Sequence, residues 1–455
     1  MTIHPNIDFV IAGPLFHTPI CGEMEAIEQA LIAVDHTGII CQICHKPDDA
    51  YLSLRSWAKK SGSLITLEKD QYLLPGLIDL HIHAPQWPQL GKALHLPLED
   101  WLQRVTFPLE AKYSDLDFAR TMYTSLVDSL LANGTTTAVY FGTIHLDANK
   151  ILADVCHGRG QRAFVGKVAM DNPEQCPDFY MDKSSEQSAR DTAALIEYIQ
   201  TLPAEADQLV LPIVTPRFIP SCTDHSLKAL GEIAATYDCH IQTHCSESDW
   251  EHGYVLARHG KTDTRSLDDF GLLTSKTVLA HSNFIDDADM RLIKLKGSGI
   301  AHCPLSNFYF SNAVLPVRRI LDAGLNIGMG TDISGGPDPS LLQNCSAAVL
   351  ASRALEDGVD AMRTATDRGR PASRINFMEA FWMATAGGGV VLGKKVGRFA
   401  KDYAFDAMVI DTNSPSSNLM VWPDLDSPED VFHKIVYNAN RSNIRTVWVQ
   451  GKVVK

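Results

Sequence analysis

The stretch PGLIDLHIHAPQ, Pro75 to Gln86, decides how the rest of the chain is read. It begins as an apolar run after a Pro-Gly pair, which reads as a strand. Side chains at i and i+2 share one face of a strand, so His81 and His83 converge on one spot. Neutral imidazole is the commonest metal ligand, and two convergent imidazoles at a strand end predict a metal. With 17 histidines in the chain, a hydrogen-bonded core pair is the competing reading. The remaining sequence has to supply the partners.

Outward from that stretch, short apolar runs alternate with longer helical patterns. After GLIDLHIHA come TTTAVYF (135–141), AFVGKVAM (163–170), LVLPIVTPR (209–217), CHIQTHC (239–245), TVLAHS (277–282), GIAHCP (299–304) and NIGMGTD (326–332). Segments such as 117–134 and 313–324 lie between them, with apolar residues at helical spacing and a closing Gly. Eight alternating units predict an α/β fold, a (β/α)8 TIM barrel over residues 74–395. Residues 1–73 and 396–455 contain FVIAGPLF, GIICQIC, SLITLE, AFDAMVID and TVWVQGKVV, all strand-like. They predict a small β-sandwich domain built from both termini.

Composition narrows the partners. The 455 residues carry a net charge of -14, which offers no footprint for a phosphate backbone or an anionic membrane, so neither nucleic acid nor membrane is expected. No apolar run is long enough to span a bilayer, and MTIHPNIDFVIAGPLFHTP lacks the plan of a secretory signal. A cytoplasmic protein with ten reduced cysteines is expected.

Three motif matches point elsewhere and fail on context. CQICH (Cys41–His45) has haem-attachment spacing but sits in a short strand before a polar turn. GGVVLGKK (Gly388–Lys395) has phosphate-loop spacing but Lys395 where Ser or Thr belongs, and it follows a helix. His240 and His244 stand four apart without the Glu of a metalloprotease helix, among strand formers.

Active-site residues of such a barrel lie at the carboxyl ends of its strands. There the first run gives His81 and His83, the fifth His244, the sixth His281 and the eighth Asp332. Imidazoles and a carboxylate around one barrel mouth make a zinc or iron site with a position open for water. Glu247 follows in the loop over that site, placed to move a proton between bound water and substrate; a solvated loop acid is the alternative, since Asp249 and Glu251 are close. Lys167 falls on the third run and the fourth ends in Arg217, so no lysine is placed to bridge two metals. One metal is expected.

The motifs PGLIDLHIHAPQ, NGTTTAVYF, PIVTPRF, THCSES, AHCPLSN and GTDISGG, in this order and spacing, resemble the amidohydrolase superfamily over nearly the whole chain. RAFVGKVAMD followed by PIVTPRF resembles the branch acting on guanine. The resemblance implies one zinc ion per subunit, with iron as the substitute, held by His81, His83, His244 and Asp332. It implies hydrolysis of guanine to xanthine and ammonia by a zinc-activated water, with Glu247, His281 and Asp332 catalytic. It places the base among His83, Gln86, Arg217, Phe218, His244, Glu247 and Asp332, and it implies a homodimer. Arg217 can donate to a carbonyl oxygen, Gln86 can donate and accept along the ring edge, and Phe218 gives an apolar wall. Trp87, beside Gln86, either covers the base or packs elsewhere. Pro85 and Ser282 depart from the family pattern, which leaves another aminopurine, a pterin or an aminotriazine as alternative substrate. A non-catalytic scaffold is the rival of another class. The separate zinc deaminase architecture is excluded, because its H-x-E and P-C-x-x-C signature is missing.

Overall fold

The structure, a computed structural model, describes residues 6–204 and 207–455. Residues 1–5, which open the stretch read above for a leader, lie outside the described residues. All eight expected barrel strands are present: β1 (Leu77–His83), β2 (Thr135–Phe141), β3 (Arg162–Gly166), β4 (Val210–Pro216), β5 (His240–Cys245), β6 (Thr277–His281), β7 (Gly299–His302) and β8 (Asn326–Met329). Each pairs in parallel with the next in chain order. Past the end of β8 the chain bonds back to β1, Asp332 N–H to the His81 carbonyl at 2.8 Å and His83 N–H to the Ile333 carbonyl at 2.9 Å. Those bonds bring the last strand round to the first and set Asp332 against both histidines.

The barrel holds because its strands are apolar on both faces. Ile78, Leu80, Val139, Phe164, Val278 and Ala301 share one buried cluster, while Ile82, Tyr140 and Val165 pack with Leu126, Val127 and Leu130 of helix Leu116–Ala132. Each fully buried Leu, Ile or Phe contributes about 1.5–3 kcal/mol relative to exposure. Asp115 starts that helix by accepting from the N–H groups of Asp117 and Phe118.

Strands from both termini form one separate sheet. Ile7–Ile20 lies between Glu23–Asp35 and Gln71–Pro75; Gln71–Pro75 pairs on with Ala407–Asp411 and then Ile444–Val449. Helix Asp49–Ser61 covers one face through Tyr51, Leu54 and Ala58. Gln71–Pro75 runs through Gly76 directly into β1, so the sheet hands the chain to the barrel at its first strand. Arg162, at the start of β3, fixes the two parts from beneath: Nε and Nη2 donate to Asp406 at 3.2 and 3.3 Å, and Nη2 to Gln450 Oε1 at 3.1 Å.

The decoy motifs resolve as packing. Cys41 and Cys44 are free thiols within the strand Ile40–His45. Gly388–Val391 is helical. His240 begins β5, at the opposite end from His244, and its Nε2 bonds the Leu392 carbonyl. Among the described residues no helix is long and apolar enough to cross a membrane.

Candidate active site and metal centre

An irregularity in β1 aims the two histidines. Asp79 pairs with Ala138 and Ile82 with Tyr140, three steps on β1 against two on β2. A bulge of this kind bends a strand and redirects its side chains. Asp79 itself is fully buried and accepts from Thr331 Oγ1 (2.6 Å), Thr331 N–H (3.0 Å) and His81 N–H (3.2 Å). Burial pushes its carboxyl up to about 7. It braces the bulge against the segment carrying Asp332.

Asp332 adopts φ 50° and His281 φ 65°, left-handed backbone that side chains rarely take and that recurs at functional sites. Space around Asp332 is close: a Cβ added at Gly335 would lie 2.8 Å from Asp332 Oδ2, and one at Gly330 2.8 Å from the His81 Cβ. The glycines of GTDISGG are there because the backbone passes against the cluster. Ser282, where the family resemblance suggested glycine, has φ 57°, the conformation that explains the glycine preference.

His81, His83, His244 and Asp332 each offer one ligand atom, all within 4.8 Å of one another, and all four residues are buried. Asp332 Oδ1 lies 3.1 Å from His81 Nε2 and 3.5 Å from His83 Nε2, and His83 Nε2 lies 2.9 Å from His244 Nε2. Donors bound tetrahedrally to zinc at ordinary bond lengths stand about 3–3.5 Å apart. His81 Nε2 is buried and makes no hydrogen bond despite its closeness to the carboxylate. Nitrogen lone pairs packed around one point are stabilised by a cation among them, so the donor set fits a mononuclear metal site.

The charge states suit that use. Burial lowers the His81, His83 and His244 imidazoles against the opposing pull of Asp332, with neighbouring rings lowering His83 and His244 further, which favours the unprotonated form a metal ligand needs. Burial pushes the Asp332 carboxyl up, but the rings of His81, His281 and His83 outweigh it and hold it well below the usual carboxylate range.

Hydrogen bonds select the tautomers. His244 Nδ1 donates to the Arg217 carbonyl at 2.5 Å, leaving Nε2 for the cluster. For His281 the assignment runs through three residues. Asn283 Nδ2 donates to the Glu247 carbonyl, Asn307 Nδ2 to Asn283 Oδ1, and Asn307 Oδ1 therefore accepts from His281 Nδ1, each at 2.9 Å. His281 Nε2 is left facing Glu247 Oε1 at 3.6 Å and Asp332 Oδ2 at 3.8 Å. Burial pushes the Glu247 carboxyl up to about 7, against the pull of His281. A group so placed can give or take a proton near neutrality.

Above the cluster lies a small pocket at the barrel mouth. Every residue expected to touch substrate lines it: His83, Gln86, Arg217, Phe218, His244, Glu247 and Asp332. His81 and His281 sit behind this lining. Leu98, Trp101, Leu102 and Phe310 complete an apolar wall that the sequence reading missed, since nothing in their local pattern separates them from core. Glu110 was also missed: it is buried and pairs with Arg217 at 2.7 and 3.2 Å. Asn307 stood inside the quoted AHCPLSN motif without an assigned part. Trp87 turns away from the cavity and bonds Ser125 of helix Leu116–Ala132 at 3.0 Å, so packing is its role. Lys167 is buried against Asp182 at 2.7 Å and lies outside the metal cluster.

A model of the amidohydrolase family matches residues 72–454. The chain belongs to the amidohydrolase family. It is 36% identical over 449 residues to a probable guanine deaminase of Schizosaccharomyces pombe, covering 98% of this chain and 83% of that one. It is 35% identical over 458 residues to the guanine deaminase of Dictyostelium discoideum, with 97% of each covered. A crystal structure of guanine deaminase from C. acetobutylicum with bound guanine superposes with a TM-score of 0.87 at 31% identity, covering 98% of this chain and 99% of the other. As an amidohydrolase with a three-histidine, one-aspartate cluster, the chain has the donor set for one metal ion at the mouth of its barrel.

Proposed function

We propose that this amidohydrolase removes the amino group of guanine by hydrolysis, giving xanthine and ammonia. The observation that carries the reading is the coincidence, in one cavity, of the metal-type cluster with Glu247, Arg217, Gln86 and Phe218. Full-length relatives that are guanine deaminases support it. His81, His83, His244 and Asp332 would hold the ion, zinc by its acceptance of nitrogen and oxygen donors, with a position left for water. A zinc ion there supplies Lewis acidity, lowering the pKa of water to about 7.

The chain's own groups do the rest. Asp332, held ionised, accepts the proton given up by the attacking water and passes it to the departing ammonia. His281 Nε2, fixed by the Asn307 bond, orients that water beside Glu247 and Asp332. Glu247 protonates a ring nitrogen of the base, so the ring accepts electrons as the new carbon–oxygen bond forms. Arg217 donates to the base carbonyl, and Phe218 with Leu98, Trp101 and Leu102 closes an apolar slot around the ring. The test is ammonia release with ultraviolet monitoring of guanine beside adenine, a pterin and an aminotriazine. Guanine should be turned over fastest; turnover of another heterocycle in its place would overturn the assignment.

The remaining expectations belong to the same reading. Ten free cysteines suit a reducing cytoplasm. Exposed Met420, Trp422 and Leu425 supply an apolar patch for a homodimer, to be checked by light scattering of the wild type and Trp422→Asp. Residues 1–73 with 396–455 form the small β domain and 74–395 the catalytic barrel.

A further inference from the structure

The recognition wall is organised by a residue that does not itself line the cavity. Glu110 is fully buried at the end of the helical turn Phe107–Glu110. Oε2 accepts from Arg217 Nη1 at 2.7 Å, and Oε1 accepts from Arg217 Nη2 at 3.2 Å and from Gln86 Nε2 at 3.0 Å. Gln86 Oε1 in turn accepts from Ser334 N–H at 3.1 Å. The Gln86 amide therefore cannot flip without losing both bonds, and Ser334 sits two residues from Asp332, so the network ends beside the metal-type cluster. The guanidinium also rests on the Phe107 ring, 5.0 Å from its centroid. An unpaired guanidinium in such a wall would draw anions; one paired in bidentate fashion offers its remaining donors with the charge already balanced.

We propose that Glu110 is a positioning residue that sets the recognition edge: by balancing Arg217 and locking the Gln86 amide, it makes the cavity select a neutral lactam base and refuse an anionic oxopurine. This rests on the reading of the cavity as a guanine site. It also accounts for product departure. Replacing the amino group of guanine by a carbonyl yields a more acidic dioxopurine, and its ionised form meets no net positive charge at this wall.

The test compares binding of urate, an anion at neutral pH, with binding of neutral hypoxanthine, in wild type, Glu110→Gln and Glu110→Asp, alongside guanine kinetics. Glu110→Gln removes the charge and keeps the shape. It should improve urate binding relative to hypoxanthine by at least about tenfold, as expected for a charged hydrogen-bonding partner. Its KM for guanine should rise roughly tenfold with kcat changed by less than about threefold. Glu110→Asp keeps the charge and shortens the reach, so it should raise KM and leave the urate-to-hypoxanthine ratio as in wild type. An unchanged ratio in Glu110→Gln, or an unchanged KM in Glu110→Asp, overturns the proposal. If Glu110→Gln does not fold, the KM of Glu110→Asp decides alone. A wild type that releases no ammonia from guanine sinks the functional reading, while the binding ratio, which needs no turnover, still tests Glu110.

Discussion

The metal-type cluster and the recognition wall meet in one cavity but are built differently. The cluster comes from strand ends: β1, β5, β6 and the segment after β8 deliver His81, His83, His244, His281 and Asp332 by the regular geometry of a barrel. The wall comes from connecting segments, Gln86 just past β1, Leu98 to Glu110 beyond it, and Arg217 and Phe218 just past β4. Rigid strands suit groups that must hold an ion to within tenths of an ångström, and loops suit groups that tell one ring from another. His244 joins the two, since its ring is oriented by the Arg217 carbonyl while Arg217 also lines the cavity.

If that division is right, damage to the cluster removes chemistry and damage to the wall removes recognition. Asp332→Ala should have the largest effect, a loss of kcat of roughly 10⁴-fold together with loss of bound metal, read by steady-state kinetics and metal analysis. Glu247→Gln should lower kcat by about 10²–10³-fold and leave metal content intact, because its carboxyl moves protons and holds no ion in this scheme. The acid form of Glu247 disappears as pH rises through its raised value of about 7, so kcat/KM should fall on the alkaline side of neutrality in a pH–rate profile. Arg217→Lys, which cannot reproduce the planar fork, should raise KM for guanine by about 10–100-fold with a smaller change in kcat.

The smallest effect on turnover belongs to a buried pair of the same chemistry placed elsewhere. Arg162 and Asp406 have side chains only 2% and 1% exposed, and they tie the barrel to the terminal sheet away from the cavity. Asp406→Ala should lower unfolding free energy by about 3–5 kcal/mol, seen in denaturant melts, with KM unchanged. A raised KM there would blur the distinction between a structural and a recognition arginine.

The same division explains what could be read in advance. Period-two alternation and strand-end placement are local signals, so His81 with His83, then His244, His281 and Asp332, stood out from spacing and order in the barrel. Gln86, Arg217 and Phe218 came through the family resemblance, carried by motifs next to those strands. Glu110 had no such mark: its meaning arises from contacts with Gln86 and Arg217, 24 and 107 residues away in sequence. Asn307 was visible as a letter, but its part depends on a hydrogen-bond chain that closes only in three dimensions. Trp87 was ambiguous because a strand-end position does not say which way a loop indole turns. The bulge in β1 was equally hidden, since an extra residue is defined only against the partner strand.

The most direct test is metal content of the purified chain and of His83→Ala, His244→Ala and Asp332→Ala, each confirmed folded by melting. The expected result is one zinc per wild-type chain and almost none in the three variants. Two ions per chain, or full zinc in any variant that has lost one of these side chains, would contradict a single cation held by His81, His83, His244 and Asp332.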